Sequence, residues 1–262
     1  MAAIHQAAFD VTALSRYTWA IMPTIRAITF DFWSTLYVPR DPAQLRTIRE
    51  QRPTVLRNTL ARAGFPFSID AVRTAYQPPA ALVGPAVTLR DTVDAMCERL
   101  DIRPSEEAKG RLVRALDELA GQIRWVHAPG APAVLRHLRQ HNYQLGLVAN
   151  AHFPSSRVIR QVLGAGGALM YFQAFAFSDE VGVNKPEPAI FRHILYHLDI
   201  DREPEAVVHV GDDPEADVAG ARAAGLRTVR YAGFRDCVAS PEADVDIREF
   251  RELPDIIHNW AE

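Results

Sequence analysis

Ala206-Val207-Val208-His209-Val210-Gly211-Asp212-Asp213-Pro214-Glu215-Ala216-Asp217-Val218-Ala219-Gly220-Ala221-Arg222-Ala223-Ala224-Gly225 changes character at its middle. Up to Val210 it is apolar and rich in β-branched residues, the pattern of a short buried strand. Asp213-Pro214 is a helix-start pair, because an Asp side chain caps orphan N–H groups and proline is tolerated at the first helical position. The small residues that follow continue as a helix over 214–224, and Thr228 to Tyr231 is strand-like again. A strand, a turn, a helix and another strand form the unit from which parallel sheets are built.

The same alternation runs upstream. Helices are expected over 131–141, 154–163 and 187–198, and strands over 144–149 and 174–177. A first strand, Ile25 to Phe30, ends at Asp31. The predicted fold class is therefore α/β, a Rossmann-like parallel sheet with helices on both faces. Gly164-Ala165-Gly166-Gly167 follows a helix rather than a strand, so it reads as a turn and not as a dinucleotide fingerprint.

Between the first strand and this series, residues 41–125 show helical periods without a convincing strand. Leu45, Ile48, Val55, Leu56 and Leu60 are followed by Val72 and Tyr76, by Val93, Met96 and Leu100, and by Leu112, Leu116 and Leu119. Pro53 is expected to break or kink the first of these helices, and Ser105 before Glu106 and Glu107 to start the last. The block is read as an inserted α-helical domain, 41–125, set into a core formed by 22–40 and 126–262. Residues 1–21 lack a clean period and are read as a dispensable extension, with Met22 a candidate start and a short helix packed on the core the alternative.

Composition narrows the function. With 29 Lys and Arg against 32 Asp and Glu, and no long basic run, the formal net charge of -3 offers no footprint for nucleic acid. A small-molecule substrate is the default. Cys97 and Cys237 are far apart and in no zinc or redox pattern, and no apolar stretch is long enough to span a bilayer, which together point to the cytoplasm. His193 and His197 have helical spacing, but Ile194 stands where a zinc hydrolase carries its Glu base, so they read as a helix face. The oligomeric state leaves no signature.

Four segments stand at strand ends: Phe30-Asp31-Phe32-Trp33-Ser34-Thr35-Leu36, Leu147-Val148-Ala149-Asn150, Asn184-Lys185-Pro186, and His209-Val210-Gly211-Asp212-Asp213 with Asp217 beyond. Ligands of open α/β sheets bind beyond the carboxyl ends of strands, so the four are expected to meet at one site. In this order the chain resembles the haloacid dehalogenase superfamily over about residues 25 to 235, and its helical block falls where that family's class-one cap falls. The resemblance implies a hydrolase with Asp31 as nucleophile, Lys185 as catalytic cation and Mg²⁺ on Asp31 and Asp212. It further implies a metal contact from the backbone carbonyl of Trp33, and support of the loop or of Lys185 by Asp217.

The chemistry also follows from the residues. Mg²⁺ is commonly held by one or two carboxylates together with water and substrate phosphate. A cation there would keep Asp31 ionised and offset its repulsion from a phosphate dianion, so that the carboxylate could attack phosphorus. Lys185 would neutralise charge developing on the transferred group. Thr35, Ala149 and Asn150 are expected to border the substrate, with Thr35 also ordering the turn after Asp31. Asp213, as a helix cap, is the weaker metal candidate and is assigned a supporting role. His152 and Phe153 are read as an ordinary loop, with a pocket border as the alternative.

Two positions depart from the family pattern. Trp33 stands where its phosphatases carry an acid/base Asp, and an indole cannot exchange a proton at neutral pH. Ala149 replaces the usual Ser or Thr, removing a hydroxyl donor. The family's dehalogenases carry an aromatic at the first position, yet they lack the metal-site Asp that is kept here as Asp212. A magnesium-dependent phosphatase-type hydrolase acting on a phosphate ester or anhydride therefore ranks first. A metal-independent hydrolase of carbon–halogen bonds ranks second, and a catalytically weak binding protein third.

Overall fold

The computed structural model describes residues 24–80, 84–234 and 242–260. The expectations for residues 1–21 and for Cys237 lie outside these. In chain order the main elements are β1 (Ala27–Phe30), β2 (Tyr37–Pro39), α1 (Pro42–Arg62), α2 (Ile69–Ala75), α3 (Leu89–Arg99), α4 (Glu106–Ala120), β3 (Trp125–His127), α5 (Ala131–Gln140), β4 (Gln144–Ala149) and α6 (Ser156–Ala165). There follow β5 (Ala174–Phe177), α7 (Ser178–Val181), α8 (Pro188–His197), β6 (Val207–Gly211), α9 (Gly220–Ala223), β7 (Arg227–Tyr231), β8 (Val245–Ile247) and α10 (Leu253–Asn259).

Six strands form one parallel sheet in the order β5-β4-β1-β6-β7-β8. Alternate side chains of a strand point to opposite faces, and the two cores show it. Ile28, Phe30, Leu145, Leu147, Val208 and Val210 pack on one side with Leu135 and Leu138 of α5 and Ile159 of α6. Ala27, Val148 and Val207 pack on the other with Ile190, Phe191 and Ile194 of α8. Gly146 belongs to this second face, where a Cβ would come within 3.0 Å of Ile194. A sheet covered on both faces explains why the strands read as continuous apolar runs rather than alternating ones.

From β1 the chain builds outward through β4 and β5, then returns to the other side of β1 for β6, β7 and β8. This reversal leaves a crevice at the carboxyl ends of β1, β4 and β6, where no crossover helix can cover it.

The helical insert leaves through β2 and returns through β3, an antiparallel ribbon pairing Tyr37 with His127 and Pro39 with Trp125. It has its own core of Leu56, Leu60, Val72, Val93, Met96, Leu112 and Leu116. Ser105 caps α4 by accepting from Ala108 N, as its position predicts. Pro53 does not end α1, which continues through it to Arg62. Proline lacks one N–H, and burial of Ile48, Leu56 and Leu60 on either side offsets that local loss. The expected helix over 214–224 is also corrected, since it opens as a π-helical turn, Pro214–Ala219, before α9.

Candidate active site

β1 ends at Asp31, whose N–H donates to Val210 O of β6 at 2.9 Å. The chain then turns sharply. Tyr37 N donates to Phe32 O at 3.0 Å, Ser34 N donates to Tyr37 O at 2.9 Å, and Ser34 adopts a φ of 59°. A non-glycine residue in the left-handed region costs roughly 1 kcal/mol, a local strain held by the ribbon that starts at Tyr37.

Asp31, Lys185, Asp212 and Asp217 come together in the crevice, all buried. Lys185 Nζ donates to Asp31 Oδ1 at 2.6 Å, to Asp217 Oδ1 at 2.6 Å and to Val148 O at 3.1 Å, so its three hydrogens each have an acceptor. Asp31, Asp212 and Asp217 can each offer one carboxylate oxygen, and these lie within 4.8 Å of one another. Asp217 is nevertheless committed elsewhere. Besides Lys185, its Oδ1 contacts His209 Nε2 at 3.2 Å, and its Oδ2 accepts Asp213 N at 3.0 Å. Gly211 makes room for it, because a Cβ there would stand 2.2 Å from Asp217 Cγ.

His209 lies under Asp217 on β6, with Nδ1 2.9 Å from Thr29 Oγ1 of β1. Burial lowers its pKa, outweighing the help of Asp217, so the ring is neutral near pH 7. Its proton is then assigned to Nε2, donating to Asp217, while Nδ1 accepts from the Thr29 hydroxyl. This buried Thr29–His209–Asp217 support was not anticipated from the sequence. The signal was a polar residue inside each of two apolar strands, at positions that pair across β1 and β6.

Among the described residues of the cluster, three buried carboxylates gather around one ammonium. Burial, reinforced by the Asp217 charge and only partly offset by Lys185, lifts the Asp31 carboxyl to about 6. At Asp217 burial acts the same way, but Lys185 and His209 overrule it and hold the group below the usual range. For Lys185 burial favours the neutral amine, yet Asp217 and Asp31 carry its pKa above the ordinary lysine value. Carboxylate oxygens of Asp31 and Asp212, buried and within 4.8 Å of each other, fit a hard divalent cation.

The remaining predicted positions separate. Thr35 is buried, with Oγ1 3.5 Å from Asp212 Oδ1. Ala149 is buried at the end of β4. Asn150 turns to the lysine loop, accepting Lys185 N on Oδ1 at 2.7 Å and donating Nδ2 to Lys185 O at 3.1 Å. Asn150 thus sets the backbone of Lys185, while it also lines the cavity that opens at Trp33 and Ser34. Asp213 caps the following turn by accepting from Glu215 N and Ala216 N. Trp33 Nε1 donates to Asn150 O at 2.9 Å, so even the indole N–H is occupied. His152 and Phe153, read from sequence as an ordinary loop, line a cavity of about 400 Å³ together with Trp33 and Ser34. His193 and His197 lie on α8, half-buried and exposed respectively, outside this crevice.

Removing Lys185 should be costly to the fold itself. Lys185→Met leaves Asp31 and Asp217 buried without their ammonium, and breaking a buried pair in this way costs about 3–5 kcal/mol. Urea unfolding of the metal-free protein should register that loss, and Asp31→Asn in the same background should restore part of it. A loss under about 1 kcal/mol, the value of an exposed ion pair, would show that the cluster contributes little to stability.

Comparison with known proteins gives one consistent pattern. A family model described as haloacid dehalogenase-like hydrolase matches residues 25–225. The chain is similar to a phosphoserine phosphatase of Thermus thermophilus, 36% identical over 164 residues that cover 60% of this chain and 63% of that protein. It is also 33% identical over 153 residues to a phosphoglycolate phosphatase of Cereibacter sphaeroides, covering 58% of this chain and 66% of that one. It therefore spans slightly less than two thirds of the length of either. Among solved structures, a 2-haloacid dehalogenase from Pseudomonas syringae superposes with a TM-score of 0.63 at 23% identity, over 91% of this chain and 100% of that one, a likeness of fold.

Proposed function

The chain belongs to the haloacid dehalogenase-like hydrolases, and from that premise we propose that it is a magnesium-dependent phosphatase of small phosphate esters or anhydrides, with Asp31 as nucleophile. The observation that carries this reading is the pair Asp31 and Asp212, two buried carboxylates at neighbouring strand ends with oxygens close enough to share one cation. The phosphatase names of the two curated relatives support it. The free, buried Cys97 is consistent with a reducing compartment, for which the cytoplasm is the proposal. No helix among the described residues is long and apolar enough to cross a membrane.

Asp31 and Asp212, with the Trp33 carbonyl, would hold Mg²⁺, which when bound supplies neutralising charge beside the phosphoryl oxygens. An oxygen of ionised Asp31 attacks phosphorus, the bond from phosphorus to the leaving oxygen breaks, and an aspartyl-phosphate forms. Lys185, already hydrogen-bonded to Asp31 Oδ1, stabilises the charge on the transferring group. Water then attacks phosphorus, the bond from phosphorus to the Asp31 oxygen breaks, and inorganic phosphate leaves with the protons of the water shared between it and the departed leaving group, regenerating the carboxylate. Asp217 and Asn150 act through Lys185, by ion pair and by backbone clamp. The helical insert, closing over the crevice, would exclude water and contact the leaving group.

One observation favours a second reading, hydrolysis of a carbon–halogen bond at the same nucleophile: the aromatic Trp33 in place of an acid. Calorimetry separates the two. Mg²⁺ should bind the wild type, and Asp212→Ala should weaken it by at least about tenfold, one of two carboxylate ligands being gone. Binding should also move the Asp31 titration below about 6, because a nearby cation favours the ionised form. Unchanged Mg²⁺ affinity in Asp212→Ala would remove the metal assignment and favour the metal-free reaction.

A further inference from the structure

Two cations of the helical insert, Arg49 and Arg52, line open space and have no carboxylate partner among the described residues. Two cavities, of about 400 and 530 Å³, share Arg49, Arg52, His152 and Phe153. The smaller opens at Trp33 and Ser34, just beyond Asp31, and the larger ends at Tyr76 and Arg73. Among the described residues that line them there is no Asp or Glu.

Arg49 and Arg52 stand one turn apart on α1. The Arg52 guanidinium carbon lies 3.6 Å from the centroid of the Phe153 ring, which holds it across the cavity wall. Arg52 and Tyr76 lie against each other, yet Arg52 Nε and Tyr76 Oη are both buried without a well-aligned hydrogen bond among the described residues, and Tyr76 is only 6% exposed. Burial and the like charge of Arg49 lower the Arg52 pKa, and the neighbouring Tyr76 offsets them only in part. Arg73 is already paired with Asp70 at 2.5 Å. A buried unpaired donor is costly, and two guanidinium groups beside one cavity repel, so the arrangement favours a guest that accepts hydrogen bonds and carries negative charge.

We propose that Arg49, Arg52 and Tyr76 form a recognition site for a second oxyanion, a carboxylate or a phosphate, carried on the leaving group of the substrate. The inference rests on the phosphatase reading and names the substrate class for it. Between this site and Asp31 the cavity lining is mostly apolar, with Trp33 and Trp125 in contact at 4.7 Å between ring centroids and Phe153, Leu45 and Ile123 beside the polar Ser34, Asn150 and His152. The body joining the two anionic ends is therefore apolar or aromatic. The substrate is a monophosphate of an apolar or aromatic acid, or a bisphosphate of similar length, rather than a neutral alkyl ester.

Non-hydrolysable phosphonates test this on the full chain with Mg²⁺, by calorimetry. Benzylphosphonate probes the Asp31 centre alone, and its para-carboxylate and para-phosphonate add the second anion. At least one of the two should bind about tenfold or more tightly than benzylphosphonate, the scale of a charge-assisted hydrogen bond. The arm that gains identifies the anion. In Arg52→Met, and in Tyr76→Phe, which keeps the ring and its packing, the ratio of the two affinities should fall toward one. Benzylphosphonate binding with no gain from either second anion, or a gain that survives both variants, overturns the inference and leaves the phosphatase reading intact. Failure of benzylphosphonate to bind counts against that reading and against the inference built on it.

Discussion

Asp31→Asn should reduce turnover of any phosphate substrate by roughly 10⁵–10⁶-fold, the loss seen when a covalent nucleophile is removed. An amide keeps the shape of the side chain and its hydrogen-bonding oxygen toward Lys185, but its nitrogen and neutral carbonyl do not attack phosphorus. The effect should lie in kcat. The fold should survive, because the substitution removes a carboxyl that burial already lifts to about 6, and so relieves rather than creates an electrostatic cost. Lys185 retains Asp217 as its counterion at 2.6 Å. Single-turnover assays with an aryl phosphate, and trapping of labelled phosphate on the wild type, measure this directly. Near wild-type rates in Asp31→Asn would mean that water attacks without an enzyme-bound intermediate.

That experiment isolates a residue that was legible in the sequence, and the reason is physical. Asp31 interrupts an apolar run at a strand end, and Asp212 does the same after Gly211, so local pattern alone places both at one edge of a parallel sheet. The α/β alternation was legible on the same ground, since buried strands and long amphipathic helices carry their own periods. Strands of three residues carry none. The ribbon of Tyr37–Pro39 with Trp125–His127 depends on a pairing across the whole insert, and β8 on a site outside the alternating series. Pro53 misleads for a related reason, because tertiary burial on α1 decides a question that local propensity poses. What Asn150 and His209 do was hidden because it depends on which strands are neighbours. Asn150 reaches the lysine loop 35 residues away, and His209 reaches Thr29 180 residues away.

Trp33 makes the sharpest prediction about mechanism. A general acid contributes roughly 10²–10⁴-fold, chiefly by protonating a basic leaving group as its bond breaks. Trp33 has no group that ionises near neutral pH and so cannot act as a general acid, and its indole N–H is held by Asn150 O at 2.9 Å. Burial and the charge of Arg52 lower the His152 pKa to about 4, so this neighbour in the cavity is neutral near pH 7 and is no ready proton donor. Acyl and aryl phosphates leave as stabilised anions and need no proton, whereas alkyl phosphates do. The rate should therefore fall steeply as the leaving-group pKa rises, and alkyl esters should be poor substrates by about the factor a missing acid costs, ~10²–10⁴-fold. Trp33→Asp should flatten that slope by raising the rate on alkyl esters selectively. Its stability must be followed alongside, because Trp33 packs on Phe32 and Trp125 with ring centroids at 4.5 and 4.7 Å, and loss of a large aromatic costs packing. Flat dependence in the wild type, with efficient turnover of alkyl phosphates, would sink the hypothesis and assign the proton to another group in the cavity or to a bound water.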